Sequence, residues 1–219
     1  MGSLSANSSA SISRSRDKLR ALQLIGNSGV EMPVTGYVHL SRDIEAVLNT
    51  VGKPPYVIKL LEGTQGRGVV LTETMDAAIS AIETMKKIDA NILIQEFISE
   101  SRGEDIRAIV VGDEVVASMK RKAKPGEFRS NEHLGGSVEN YVLTEQEKES
   151  AIKAAKVLGL SVAGVDLIQS NRGPLVLEVN SSPGLEGIEK ASGIDVADKI
   201  IEYLEIQHKV RDKSKPIDI

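Results

Sequence analysis

VAGVDLIQSNRGPLVLEVN, residues 162–180, reads as two apolar strands, Val162 to Ser170 and Pro174 to Asn180, folded back on each other. With Asn171-Arg172-Gly173 as a three-residue loop and the glycine in the left-handed position, each residue pairs with the one whose number brings the sum to 344. Asp166 then faces Glu178 directly, and Asn180, two residues further on, shares their side of the strand. Two carboxylates and an amide oxygen thus gather on a surface otherwise made of Val, Leu and Ile. Like charges opposite one another destabilise a sheet, so a positive charge should lie between them. An all-oxygen donor set suits Mg²⁺ or Mn²⁺ rather than zinc. In the competing reading Asp166 and Glu178 simply point to solvent and Asn180 closes the strand.

Upstream, Tyr56 to Leu61 runs into Glu62-Gly63-Thr64-Gln65-Gly66-Arg67-Gly68 and returns as Val69 to Leu71, a β-loop-β unit. Glycines let backbone N–H groups approach a phosphate chain without obstruction by Cβ atoms. No helix follows, so the loop matches neither the P-loop nor the dinucleotide fingerprint; it is a phosphate loop of another type or only a tight turn. Lys59 places an ammonium next to it, although an exposed position is the commoner fate of a strand lysine. A second hairpin, Asp105 to Val111 and Glu114 to Arg121, turns at Gly112-Asp113, and its pairing sum of 225 sets Asp105 and Arg107 on one face with Ser118 and Lys120. Lys120, Arg121, Lys122, Lys124 and Arg129 then concentrate positive charge in ten residues. Only Phe128 offers a ring for stacking there, so an anionic substrate is a better use for this run than RNA.

With 41% hydrophobic and 26% charged residues, the 219-residue chain can bury the core of one large domain or two lobes. A net charge of -4 gives no general attraction to nucleic acid or membrane surfaces. The lack of cysteine excludes disulfides, thiolate metal sites and a thiol nucleophile, and suits a reducing cytoplasm. No apolar run approaches the roughly 20 residues needed to cross a bilayer, and Met-Gly-Ser-Leu-Ser-Ala does not begin a signal peptide. Residues 1–13 are expected to be a flexible end, with Met1-Gly2-Ser3 a cloning remnant. Helices are expected from Asp17 to Gly26, over Ile44 to Val51 after Ser41, from Met75 to Lys87, after the Thr144/Glu147 capping box, and from Asp195 to His208. Asn91 to Phe97 returns as a strand, and Lys122 to Asn140 reads as irregular. The division is a first lobe over 14–98, a second over 99–208 and a frayed tail over 209–219, in the α+β class.

In order, Lys59, EGTQGRGVV (62–70), QEFI (95–98), DIR (105–107), KRKAKPGEFRSN (120–131), AGVDLI (163–168) and LEVNSSPGLEGIEK (177–190) resemble the successive motifs of the ATP-grasp superfamily over about residues 9–205. RSRDKLRALQL, PGEFRSN and EVNSSPGLEGIEK resemble in particular the RimK-type ligases, which add glutamates to the C-terminus of a small-subunit ribosomal protein. The resemblance implies an ATP-grasp fold, two α+β lobes with ATP bound between them. Lys18 and Lys59 would contact its phosphates under the loop of Gly63, Gln65, Gly66 and Gly68. Glu96 and Phe97 would hold adenine, Asp105 would lie near the ribose, and Arg129, Ser130 and Asn131 would line the nucleotide site. Arg107 and Arg121, with Arg129, would serve catalysis near the transferred phosphate or the acceptor. Asp166, Glu178 and Asn180 would bind two Mg²⁺ or Mn²⁺ ions.

The activity so implied is ATP-dependent joining of a carboxylate to an amine through an acyl phosphate. Free glutamate and an acidic polypeptide end on a ribosomal protein would be the substrates; no membrane and no direct nucleic acid are expected, and a homo-oligomer is left open. The alternatives are a small-molecule amino-acid ligase of the same fold and a non-catalytic nucleotide-sensing or RNA-binding module. Two departures bear on this. After the RSN triplet the family pattern has an apolar residue, His, Arg and two glycines, whereas this chain has Glu132-His133-Leu134-Gly135-Gly136. Family members also carry a further N-terminal domain ahead of the region that begins here, so this sequence is expected to be a piece of a longer protein.

Overall fold

Two antiparallel sheets organise the chain, each roofed by helices whose apolar residues recur on one side. The computed structural model describes residues 4–61, 68–101, 103–130 and 135–213. Two helices come first, α1 (Ser9–Arg16) and α2 (Lys18–Asn27). The first sheet holds β1 (Thr35–Val38), β2 (Tyr56–Leu60), β3 (Val69–Thr72) and β4 (Ile92–Glu96) in the order β1-β4-β2-β3. Helices α3 (Ile44–Val51) and α4 (Met75–Lys86) cover one face of it. Ile44, Leu48, Val51, Ala78 and Ile82 pack there on Val38, Tyr56, Ile58, Ile92 and Ile94. Ser41 does not cap α3; it opens a short 3₁₀ turn, and Asp43 occupies the cap position without a side-chain bond.

The second sheet holds β5 (Glu104–Val111), β6 (Glu114–Lys122), β7 (Ser137–Asn140), β8 (Val162–Ser170) and β9 (Gly173–Asn180) in the order β7-β6-β5-β8-β9. α5 (Glu145–Val157) starts at the expected capping box of Thr144 and Glu147. Its Ala151, Ala154 and Ala155 pack against Ile106, Ala108, Val110 and Leu167 on one sheet face. α6 (Glu186–Ser192) and α7 (Val196–Lys213) cover part of the opposite face through Ile188, Val196, Ile200 and Tyr203. β7 lies in the stretch expected to be irregular, α6 was not anticipated, and α7 continues past the expected tail boundary at 209.

Residues 6–13 of the N-terminal stretch expected to be flexible are instead built into the second lobe. The Asn7 side chain donates to the carbonyls of Val162 (2.8 Å) and Ser181 (3.1 Å) and accepts from the amides of Ser161 (2.9 Å) and Val162 (3.1 Å). Ser8 then caps α1, whose Ser11 and Ser15 are buried. Ala21, Ile25 and Val30 join the core under α5, so the helix expected to open the first lobe belongs to the second. The chain therefore passes between lobes twice, just before β1 and just after β4. At those passages the Glu31 carbonyl accepts from Val176 of β9 (2.9 Å), and the Val34 carbonyl accepts from Glu96 (3.0 Å).

Both hairpins of the second sheet contain a bulge, and the bulges decide which side chains meet. In β8–β9 the turn is two residues long, with Ser170 opposite Gly173. Leu177 is inserted between the Leu167–Val176 and Asp166–Glu178 pairs, so beyond it the expected register is restored, with Gly164 opposite Asn180. In β5–β6 the turn pairs Val111 with Glu114 as expected, but Val116 is inserted and the remaining pairs slip by one. Asp105 therefore faces Arg121, and Arg107 faces Met119. A one-residue slip moves every later side chain to the other face. Ser118 and Lys120 are thus on the opposite side from Asp105 and Arg107, and Arg121 is on theirs.

Four hydrogen bonds converging on one partly buried amide set a measurable expectation. Asn7→Ala should destabilise the protein by about 2 kcal/mol, because the strand amides and carbonyls it leaves are only partly reached by water. For a domain of this size that lowers the thermal midpoint by roughly 4–8 °C. Calorimetry in which the variant melts with the parent would show that residues 4–8 lie on the lobe without holding it.

Candidate functional site

Across the face of the second sheet that α6 and α7 leave open, Met119, Arg107, Asp166 and Glu178 form one row over β6, β5, β8 and β9. Directly opposed opposite charges stabilise adjacent strands, and the contact between Arg107 and Asp166 is two-pronged: Nε to Oδ1 and Nη2 to Oδ2, both 2.7 Å. The next row repeats this between Arg121 and Asp105, at 2.6 and 2.7 Å. Arg121 Nη2 also reaches Asp166 Oδ2 at 3.0 Å, which joins both pairs into one chain running Asp105, Arg121, Asp166, Arg107. Asp105, Arg121 and Asp166 are all buried.

The two aspartates respond differently to this burial. For Asp166, desolvation is outweighed by Arg121 and Arg107, which hold its pKa at about 2. For Asp105, desolvation prevails over Arg121 and raises the pKa. Arg121 is held firmly protonated by Asp166 and Asp105 against its own desolvation. Glu178 stands at the outer end of the row, exposed, and accepts from Asn180 Nδ2 at 3.0 Å.

The positive charge that the sequence demanded between Asp166 and Glu178 is therefore supplied in part by guanidinium groups. Both Asp166 oxygens are engaged by arginine, and among the described residues no three acids or histidines gather as a metal-binding group. The donor chemistry still fits a hard divalent cation: Glu178, the Asn180 amide and Asp166 lie on one face of two paired strands, and three carboxylates meet two guanidiniums there.

From the first lobe, Lys59 on β2 approaches this face. Its ammonium donates to Gln95 Oε1 (2.7 Å), and Gln95 Nε2 donates to Thr35 Oγ1 (3.0 Å), which fixes the lysine across β4. Burial lowers the Lys59 pKa; Glu178, Asp166 and Asp105 counter this from the other lobe, while Lys18 adds to it. Lys18 and Lys59 are thus electrostatic neighbours. At the near end of the glycine-rich loop, Gly68 has φ +73°, and a Cβ there would lie 2.7 Å from Leu60 Cδ1, so both backbone and space call for glycine. Gly63, Gln65, Gly66 and Asn131, and Glu132 to Leu134 of the departing pattern, lie outside the described residues.

The interlobe strand end is occupied in a way that sequence did not foretell. Glu96 accepts from the Val34 amide (2.7 Å) and pairs with Arg172 at the tip of the β8–β9 turn. Phe97 meets Phe128 edge-on, centroids 6.4 Å apart, so a first-lobe ring touches the segment that carries Arg129 and Ser130. Ser130 is buried and hydrogen bonds to Asp105. Arg129 is engaged by Glu127 at 2.7–3.0 Å and holds that carboxyl at about 2.

The basic run is largely neutralised at home. Lys120 pairs with Glu104 (3.1 Å) and lies over the Tyr141 ring, and Lys122 pairs with Glu139 (2.9 Å). Gln95 and Arg172 were missed as site residues. Neither carries a local signal, because each matters through a partner distant in sequence.

Residues 15–204 match the RimK-like ATP-grasp domain. A probable alpha-L-glutamate ligase of Picosynechococcus sp. is 61% identical over 94% of this chain and 68% of its own length. One from Aeromonas salmonicida is 56% identical over the whole of this chain and 72% of its own. Among solved structures, the ATP-grasp ligase PsnB, complexed with a phosphomimetic variant of its minimal precursor, Mg and ADP, superposes with a TM-score of 0.75 at 22% identity, over 94% of this chain and 63% of that one. A D-alanine–D-alanine ligase from Bacillus anthracis gives 0.71 at 23% identity, over 95% of this chain and 72% of that one. This chain thus spans about two thirds of the length of the proteins it matches.

The charge row separates two carboxylates that sequence treats alike. Asp166→Asn leaves Arg107 and Arg121 facing a neutral amide in a buried setting, and should cost about 3 kcal/mol or more of stability in urea unfolding. Glu178→Gln, at an exposed site with one neutral partner, should stay within about 0.5 kcal/mol. Equal losses would mean that the charge row does not hold this sheet.

Proposed function

This chain belongs to the RimK-like ATP-grasp family, and from that premise we propose that it carries the ATP site of a ligase that joins glutamate to an acceptor through an acyl phosphate. The observation that bears most weight is the approach of Lys59 from one lobe to the carboxylate- and arginine-lined sheet face of the other. Lys59 and Lys18 would bind the phosphate chain as point charges, and the Gly68 loop would close over it. Phe97 would pack on the base and Ser130 would sit near the sugar with Asp105. Glu178, Asn180 and Asp166 would hold two Mg²⁺ ions, or Mn²⁺ in their place. A divalent cation so held would neutralise the charge gathering on the transferred phosphoryl group.

In the reaction, a carboxylate oxygen attacks the γ-phosphorus of ATP and ADP departs. The amine nitrogen then attacks the acyl carbon, phosphate leaves with the C–O bond electrons, and the nitrogen gives up a proton as the amide forms. Arg107 and Arg121 would lie near the transferred phosphoryl group and stabilise its charge. Asp105 and Asp166 would hold both guanidiniums in place. No nucleophile of the enzyme is needed, in keeping with a chain without cysteine and with three histidines. We place this chemistry in the cytoplasm, and the acceptor on an acidic polypeptide end such as that of a small-subunit ribosomal protein. The neutralised basic run favours a second reading, ligation to a small amino-acid acceptor, because little unpaired charge remains there to draw a polyanion.

The deciding measurement is Mg²⁺-dependent ADP release with glutamate and either a glutamate-rich peptide or single amino acids as acceptor, with the product identified by mass. Release with the peptide supports the first reading, and release with free amino acids alone supports the second. ATP binding without release under any pairing would point to a nucleotide-sensing module. Lys59→Met should weaken ADP roughly tenfold to a hundredfold, the worth of a charge-assisted contact, and leave adenosine unchanged. Equal losses for the two would remove Lys59 from the phosphate site.

A further inference from the structure

The β8–β9 hairpin touches the nucleotide cleft at both ends. Asp166, Glu178 and Asn180 stand at one end, and the Asn171-Arg172 turn, six residues from Glu178 and so about 20 Å away along the strand, grips the interlobe strand at the other. There Arg172 Nη1 donates to Glu96 Oε2 at 3.2 Å while Nη2 pairs with Glu96 Oε1, and the Asn171 amide donates to Glu100 Oε1 at 2.9 Å. Glu96 in turn takes the Val34 amide through Oε1 and gives its own amide to the Val34 carbonyl. Val34 and Glu96 mark the two places where the chain passes between lobes. One guanidinium thus binds the carboxylate at which both passages meet.

We propose that Arg172 is a positioning residue: by clasping Glu96 it holds the two lobes in the orientation in which Lys59 already faces the carboxylate row, so that nucleotide binds a preformed cleft. The proposal rests on the reading of that cleft as an ATP site. Pre-organisation of this kind appears as affinity, because a ligand that need not order the lobes keeps more of its contact energy. The pair is only half-shielded from water, so the effect is modest. It acts on binding and leaves the reacting atoms alone.

Titration calorimetry with ADP and Mg²⁺ tests this in the parent, Arg172→Ala and Arg172→Lys. Arg172→Ala is expected to weaken ADP about threefold to fivefold, and Arg172→Lys, which keeps the charge, to regain part of the loss. The thermal midpoint and kcat should stay near those of the parent. Small-angle X-ray scattering of nucleotide-free Arg172→Ala should show a larger radius of gyration. Parent-like ADP affinity in Arg172→Ala, or tighter binding, overturns the clasp. A parent that does not bind ADP overturns the ATP-site reading instead.

Discussion

Asp166 is the residue on which the second sheet turns. It is buried, it accepts from two guanidiniums, and it faces a third charged residue, Glu178, across β9. A carboxylate in that position is tolerable only because Arg107 and Arg121 come to it: Arg107 through the direct β5–β8 pairing, and Arg121 because Val116 shifts β6 by one residue. Without the bulge Arg121 would point to the α5 side of the sheet, and Lys120 would face Asp105 in its place. A local irregularity of backbone therefore settles the electrostatics of the whole face. The arrangement also ties the proposed site to the fold, since the guanidiniums proposed to handle phosphate charge are also the ones that neutralise buried carboxylates.

The cleft follows from this polarity. Lys59 comes from a lobe whose own core, around Tyr56 and Ile58, is apolar, and Glu178, Asp166 and Asp105 counterbalance it from across the gap. Gln95 fixes it by a single hydrogen bond from a neighbouring strand. Each lobe thus brings a different part of the charge, an ammonium from the first and a mixed row of carboxylates and guanidiniums from the second. The family to which the chain belongs, and relatives named as glutamate ligases, are consistent with that division of labour.

Much of this was readable from residue order, and the exceptions have physical causes. The Asp166–Glu178 pairing was derived on a three-residue loop; the turn is shorter, and Leu177 makes up the difference, so a sound register followed from an incorrect loop. At β5–β6 the turn chemistry of Gly112-Asp113 was read correctly, yet Val116 reversed the faces, because an extra valine in a run of apolar residues leaves no mark in the pattern. The serine-rich start looked mobile by composition, and only its distant partners on β8 give it structure. Strands such as β7, Ser-Val-Glu-Asn, are too short for periodicity to register. Arg172 showed nothing in sequence beyond a turn position, since its partner lies 76 residues away.

The double passage of the chain between lobes has a consequence for assembly. Residues 7–30 and 99 onward share one core, so the first lobe is in effect a long insertion within the second. Joining the two flanks as a free loop of that length costs roughly 4 kcal/mol in chain entropy. Once β1 pairs with β4, however, Thr35 lies opposite Gln95, and Val34 and Glu96 are hydrogen-bonded neighbours. The inserted lobe then acts as a staple that replaces the long loop by a short tether. Contacts such as Asn7 to Val162, 155 residues apart in sequence, become kinetically nearer, and the slow search implied by so non-local a topology is shortened by a lobe that can complete its sheet from its own four strands.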